Sequence, residues 1–423
     1  MSYRLTGGAV VRTLSGPIDA EDLSVEGDRI VADAPSATTM DVSGCLVIPG
    51  NACAHHHLYS YLARGMPAPP VTRTFVDILR EIWWKLDRAL DDETVRLSAL
   101  AGAIDAARRG TTSIIDHHSS PTAIDSSLDA VAEALDDAGV RGIVCYEVSD
   151  RHGETQGRRG IAENVRFLKT NGRALIRGMM GAHASFTLGQ DTLETLVSEA
   201  RGLDVPIHVH LAEDEVDERD SIERYGVRAT VRLRRMGVLS DGDLAAHGVR
   251  LDADERAILR ESGSWLAHNP RSNMNNAVGY APVADMGERV ALGTDGIDGD
   301  MFEEVRACFL KAREKGTSVA PLQRLARGPR IVAARFGEPL LGELVPGAPA
   351  DLVVLDYASP TPLETSNLES HFLFGMGSWN VRDVMVAGRW VVRDRRHELI
   401  DEEEVAANCR VAAPKVWERM RLL

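Results

Sequence analysis

Several short stretches of the chain combine side chains that hold metals with side chains that move protons. In the triplet His55-His56-His57, which follows an apolar run, alternating strand geometry puts His55 and His57 on one face and turns His56 away. Two imidazoles so placed can grip one divalent ion, although a His triplet taken alone is also what a surface tract or an adventitious metal binder looks like. His210 lies in a second apolar run, 207–211, and can supply a third imidazole; Glu213, three residues on, can reach a metal-activated water without binding the ion. Asp295 closes the run Leu292-Gly293-Thr294-Asp295-Gly296 and adds a carboxylate. Each residue also has a structural reading, since a strand His is often a hydrogen-bonded core residue and an Asp before Gly often a turn former. Their occurrence together, in order and at the ends of expected strands, is what points to a site. Neutral imidazoles and a carboxylate suit Zn²⁺ or Fe²⁺, and open coordination positions separate a catalytic metal from a structural one. Such an ion lowers the pKa of water from ~15.7 to about 7, which implies hydrolysis.

A scaffold must bring these distant segments to one point. Strand-like runs at 111–115, 142–146, 176–181, 207–211, 244–246, 265–267 and 290–293 alternate with helix-like runs. With 46–48 taken as the first strand they number eight, which predicts a parallel (β/α)8 TIM-type barrel with its chemistry at the strand C-termini. Short strands and turns at both chain ends, 3–12, 23–32, 351–356, 384–387 and 390–392, predict a small β-sandwich built from the two ends. The expected organisation is residues 1–48 plus 338–400 as the composite sandwich, 49–337 as the barrel and 401–423 as a C-terminal helix with an acidic first turn.

Composition narrows the class. The 423 residues are 44% hydrophobic and 26% charged, within the globular range, and no apolar run approaches the ~20 residues of a membrane helix. The N-terminus has no signal-peptide pattern, so cytoplasmic residence is expected. Five scattered cysteines without a CxxC pair argue against a disulfide framework or a thiolate zinc site. A net charge of −15 disfavours nucleic acid as a partner. The zinc signature of nucleic-acid deaminases is also missing. A symmetric homo-oligomer is expected on general grounds, with no stretch marking its interface.

Several segments together resemble the amidohydrolase superfamily, in its deaminase and chlorohydrolase branch, over nearly the whole chain. Ile48-Pro49-Gly50 followed by His55-His56-His57 resembles the family's Pro-Gly, strand, His-x-His opening, and its spacing selects His55 and His57. His210 with Glu213 resembles the His-x-x-Glu pair, implying a metal ligand and a general acid/base; Ala246-His247-Gly248 resembles the segment whose histidine assists the hydrolytic water. Asp295 matches the aspartate that both ligates and shuttles protons. The resemblance thus implies His55, His57, His210 and Asp295 as ligands, with Glu213, His247 and Asp295 as catalytic groups. His268-Asn269-Pro270-Arg271-Ser272-Asn273 and the run 346–355 are also family-like, and are expected to serve the fold more than the chemistry. None of the five lysines sits at an expected strand end, so the carboxylated lysine of two-metal relatives has no counterpart and one metal, zinc foremost or Fe(II), is implied.

His183, in Gly181-Ala182-His183, resembles a substrate-contacting histidine, the alternative being a buried structural one. Trp83-Trp84-Lys85-Leu86-Asp87 resembles a Trp-Pro-Leu-Glu lid element, with departures at Lys85 and Asp87; Trp84 would stack on a flat ring or pack in the core. Asp116-His117-His118, with Arg64-Gly65-Met66 and the double Trp, resembles SsnA-type aminohydrolases; His117 or His118 would line the pocket or hydrogen bond within the barrel. The implied activity is hydrolytic deamination of a small aminated nitrogen heterocycle, purine-like or related. Ring-opening amide hydrolysis and dechlorination use the same kind of site, and a non-catalytic metal-binding subunit is the reading from outside enzymology.

Overall fold

The computed structural model describes residues 1–14, 16–67 and 72–423. Eight parallel strands form the central barrel: β1 (Asn51–His56), β2 (Thr111–His118), β3 (Arg141–Tyr146), β4 (Ile176–Gly178, resuming as Met180–Ala184), β5 (Ile207–Leu211), β6 (Leu244–His247), β7 (Trp265–His268) and β8 (Val290–Leu292). They pair in sequence order from β1 to β8. The circle closes where the amides of Thr294 and Asp295 both donate to the His55 carbonyl at 3.0 Å. Gly293 permits this approach, because a Cβ there would stand 2.4 Å from Asn269 Oδ1 and 2.9 Å from His55 Cβ. The intervening helices are amphipathic. Helix Ser127–Asp137, for example, buries Leu128, Val131, Ala132 and Leu135, the i, i+3, i+4, i+7 stripe of a helix lying on a sheet.

The first barrel strand differs from the expected one. Cys45–Pro49 belongs to a seven-stranded sheet, antiparallel to Leu352–Asp356 and parallel to Ala9–Val11, while Asn51–His56 takes the barrel position. Both segments are continuously buried, and a short buried run carries no periodicity that says which sheet it joins. As a result His55 and His56 lie within the strand rather than after it.

Both chain ends contribute to the seven-stranded sheet, as expected, and a four-stranded sheet of Ser2–Thr6, Leu23–Glu26, Arg29–Val31 and Thr38–Asp41 covers one face of it. Strand alternation divides the larger sheet between two cores. Val47, Leu352, Val354 and Met385 pack with Leu5, Val25 and Ile30 inside the sandwich, whereas Leu46, Ile48, Val353, Leu355 and Val384 pack with the barrel helices. Arg141, at the start of β3, ties the two together through a buried bidentate pair with Asp351 at 2.7 and 3.1 Å. The C-terminal helix Glu402–Leu422 docks on the barrel, with Trp417 Nε1 donating to the Leu62 carbonyl at 2.9 Å. Among the described residues no helix is long and apolar enough to cross a membrane.

Candidate metal centre and active site

Four candidate ligands converge at the C-terminal mouth of the barrel. His57 Nε2 lies 3.2 Å from His210 Nε2 and 3.1 Å from Asp295 Oδ1, and His55 Nε2 lies 3.7 Å from the same carboxylate oxygen. Each ring is aimed from behind. His57 Nδ1 donates to the His117 carbonyl at 2.5 Å, which points Nε2 into the cluster, and His55 Nδ1 meets His208 Nε2 at 2.9 Å. His208 Nδ1 in turn faces Cys145 Sγ at 3.7 Å. Burial holds His55 and His210 well below the usual imidazole range, in the neutral form that metals bind. His55 Nε2 is buried and has no protein partner, as expected of a nitrogen reserved for an ion. Three imidazoles and one carboxylate fit a borderline divalent cation such as zinc. His56 turns away and pairs with Thr294 Oγ1 at 2.9 Å, as strand alternation predicts.

Three proton-moving groups surround the same point. His247 Nε2 stands 3.6 Å from Glu213 Oε2 and 4.0 Å from Asp295 Oδ2. Helix Pro270–Asn275 and its C-cap Asn276 hold all three. Ser272 Oγ donates to Asp295, Asn273 Oδ1 accepts from His247 Nδ1 at 2.9 Å, and Asn276 Nδ2 donates to Glu213 Oε1 at 3.3 Å. The His268-to-Asn273 segment, expected mainly to serve the fold, thus also contacts two of the candidate catalytic groups directly. The carbonyl partner on Nδ1 turns His247 Nε2 toward Glu213 and Asp295, where it can exchange a proton with either.

Burial pushes Glu213 up to about 7, against the opposing pull of His247, so it can take up and release a proton near neutrality. Burial would likewise raise Asp295, but hydrogen bonding and charge from His57, with His247 behind it, hold it well below the carboxylate range. The backbone here is strained. Ala212, His247 and Asp295, at the ends of β5, β6 and β8, all have left-handed φ of 48°, 77° and 54°. Such conformations cost about 1–3 kcal/mol each for bulky residues and concentrate where side chains must be aimed.

Above the ligands a pocket is lined by Trp83, Trp84, His183, Glu213, His247 and Asp295, with Glu147, Arg151 and Asn276 among its other walls. Trp84 and His183 thus face it as anticipated. Trp83 ends a one-turn π segment, Leu79–Trp83, that interrupts the regular helix, and Trp84 follows it. The two histidines of β2 do otherwise. His118 faces away from the pocket and bonds Ser120 Oγ at 2.9 Å, the barrel hydrogen bond that was its alternative reading. His117 lies beneath the pocket, stacked on His208 with ring centroids 4.4 Å apart and grouped with His55, His57 and His210. Glu147 and Arg151 are pocket residues that motif reasoning did not reach. Only the proximity of an acid and a base just past the third strand signals them.

A family model described as the amidohydrolase family matches residues 46–391. The chain is 32% identical to a 5'-deoxyadenosine deaminase of Methanopyrus kandleri over 86% of this chain and 85% of that one. It is 31% identical to a 5-methylthioadenosine/S-adenosylhomocysteine deaminase of Halobacterium salinarum over 96% and 95% of the two. A solved adenosine deaminase from Xanthomonas campestris, with bound zinc, superposes with a TM-score of 0.82 at 23% identity, covering 100% of this chain and 99% of that one.

Proposed function

Because the chain belongs to the amidohydrolase family, we propose that it is a metal-dependent deaminase, exchanging an exocyclic amine on a small nitrogen heterocycle for oxygen and releasing ammonia. The observation that carries the reading is the meeting of Glu213, His247 and Asp295 at the mouth of a three-histidine, one-carboxylate cluster. A purely structural metal site needs ligands but no proton-moving groups.

His55, His57, His210 and Asp295 would hold the ion. Zinc is the proposed metal, in keeping with the donor set and with the zinc in a structural relative. When bound, a divalent ion supplies water that is nucleophilic near neutral pH. Glu213, poised near neutrality, delivers a proton to the ring nitrogen beside the attacked carbon and so makes that carbon a better electrophile. His247 steadies the charge on the developing tetrahedral carbon's oxygen. Asp295 carries the proton lost from water to the departing amine, which leaves as ammonia. His183 and Trp84 seat the ring, Trp84 offering a flat face.

Deamination is favoured over ring opening and dechlorination by two relatives above 30% identity, both named as deaminases. Dialysis against a chelator is expected to abolish ammonia release, and one equivalent of zinc per chain is expected to restore it. Activity that survives verified metal removal would contradict the proposal.

A further inference from the structure

Building on the deaminase reading, we infer that the pocket recognises a lactam edge: the substrate carries a ring N–H beside its amine-bearing carbon, and a carbonyl oxygen next to that N–H. Glu147 accepts from the N–H and Arg151 donates to the carbonyl. The class is the 2-amino-4-oxo heterocycle, the pattern shared by guanine, isocytosine and pterin.

The observation behind it is a complementary pair left open on the pocket wall. Arg151 is held rigidly, with its Nη2 donating to Asp87 and to Ser119 Oγ, the latter at 2.9 Å. Its Nη1 makes no hydrogen bond among the described residues and stands 3.6 Å from Glu147 Oε1. Around the Glu147 carboxylate stand the Ser119 hydroxyl, His117 Nδ1 at 3.7 Å and His183 Nε2 at 3.9 Å. A donor and an acceptor side by side on the pocket wall, too far apart to hydrogen bond each other, are what a ligand offering the reverse pair would satisfy.

Charge excludes the other common ligand of a pocket arginine. With Asp87 and Glu147 both against Arg151, its charge is already matched, so this wall offers a carboxylate or phosphate tail no unpaired cation. Position selects ring atoms. Around the barrel rim the order is Glu147 after β3, His183 on β4, His210 on β5 and His247 on β6. Glu147 and the Glu213–His247 pair therefore flank His210 from opposite sides. Glu147, His183 and His210 also offer polar atoms within 4.8 Å of one another, so Glu147 meets atoms next to the reacting carbon. A ring that gives one nitrogen to Glu213 turns its other flank to Glu147. In a 2-amino-4-oxo ring that flank is N–H followed by C=O. In an adenine-type ring that flank begins with a carbon, which gives the Glu147 carboxylate no N–H to accept from.

The test is kcat/KM for ammonia release by the zinc-loaded protein and its Glu147→Gln variant, on guanine, isocytosine, pterin, 2-aminopurine, adenine and 5'-deoxyadenosine. The wild type is expected to prefer a lactam compound over 2-aminopurine by at least about 100-fold. Glu147→Gln is nearly isosteric, and its amide N–H can meet a lone pair, so that preference should shrink by about 10-fold or more. Preference of the wild type for adenine or 5'-deoxyadenosine would overturn the assignment. So would a variant that slows every compound equally, the mark of a merely structural role. Ammonia from no compound despite bound metal would overturn the deaminase reading itself, and the lactam assignment with it.

Discussion

Glu213→Gln is expected to lower turnover by about 1,000-fold while the protein keeps its full metal content. Glu213 lies 3.6 Å from His247 Nε2 and is held by Asn276, with no place among the four converging ligands. The amide keeps the shape and the hydrogen bond from Asn276 but cannot carry a proton to the ring. The two readouts separate the roles. Loss of turnover without loss of metal identifies a proton carrier; loss of metal in proportion to activity would make Glu213 a ligand and remove the acid from the mechanism.

Asp295→Asn carries the second large effect. The aspartate stands 3.1 Å from His57 Nε2 and is fastened by Ser272, so it is a candidate ligand, and at 4.0 Å from His247 Nε2 it is also placed to pass a proton. Asparagine retains an oxygen donor and loses the charge and the proton-carrying capacity. Turnover should fall at least about 100-fold, with metal content falling far less. Steady-state kinetics beside metal analysis of the same sample decide the matter. Near-normal turnover in the variant would rule out the shuttle role.

How far the site could be read from the chain depended on how local each signal is. His55, His57, His210, Glu213, His247 and Asp295 were legible because each stands at or just past the end of an apolar run, and a barrel gathers strand ends at one mouth. The first strand was misplaced because Cys45–Pro49 and Asn51–His56 are two buried strands separated by a single glycine, and the first is the more apolar. The orienting trio of Ser272, Asn273 and Asn276 sits in a helix whose sequence suggests only a turn and a cap. Its role appears once the short helix after β7 lies across the ends of β5, β6 and β8. His117 and His118 show the limit of alternation without depth: adjacent residues must face opposite ways, but the sequence does not say how far below the mouth either ring sits. Arg151 stayed hidden because its partner Asp87 is 64 residues away in the chain, and Glu147 because no local motif marks it.

The most direct measurement follows one turnover in water enriched in oxygen-18, with ammonia and the heterocyclic product quantified together on protein of known metal content. Hydrolytic deamination predicts one ammonia per product and an intact ring in which a single labelled oxygen replaces the amine. A product that has gained a whole water molecule with its ring opened and no ammonia released would contradict it.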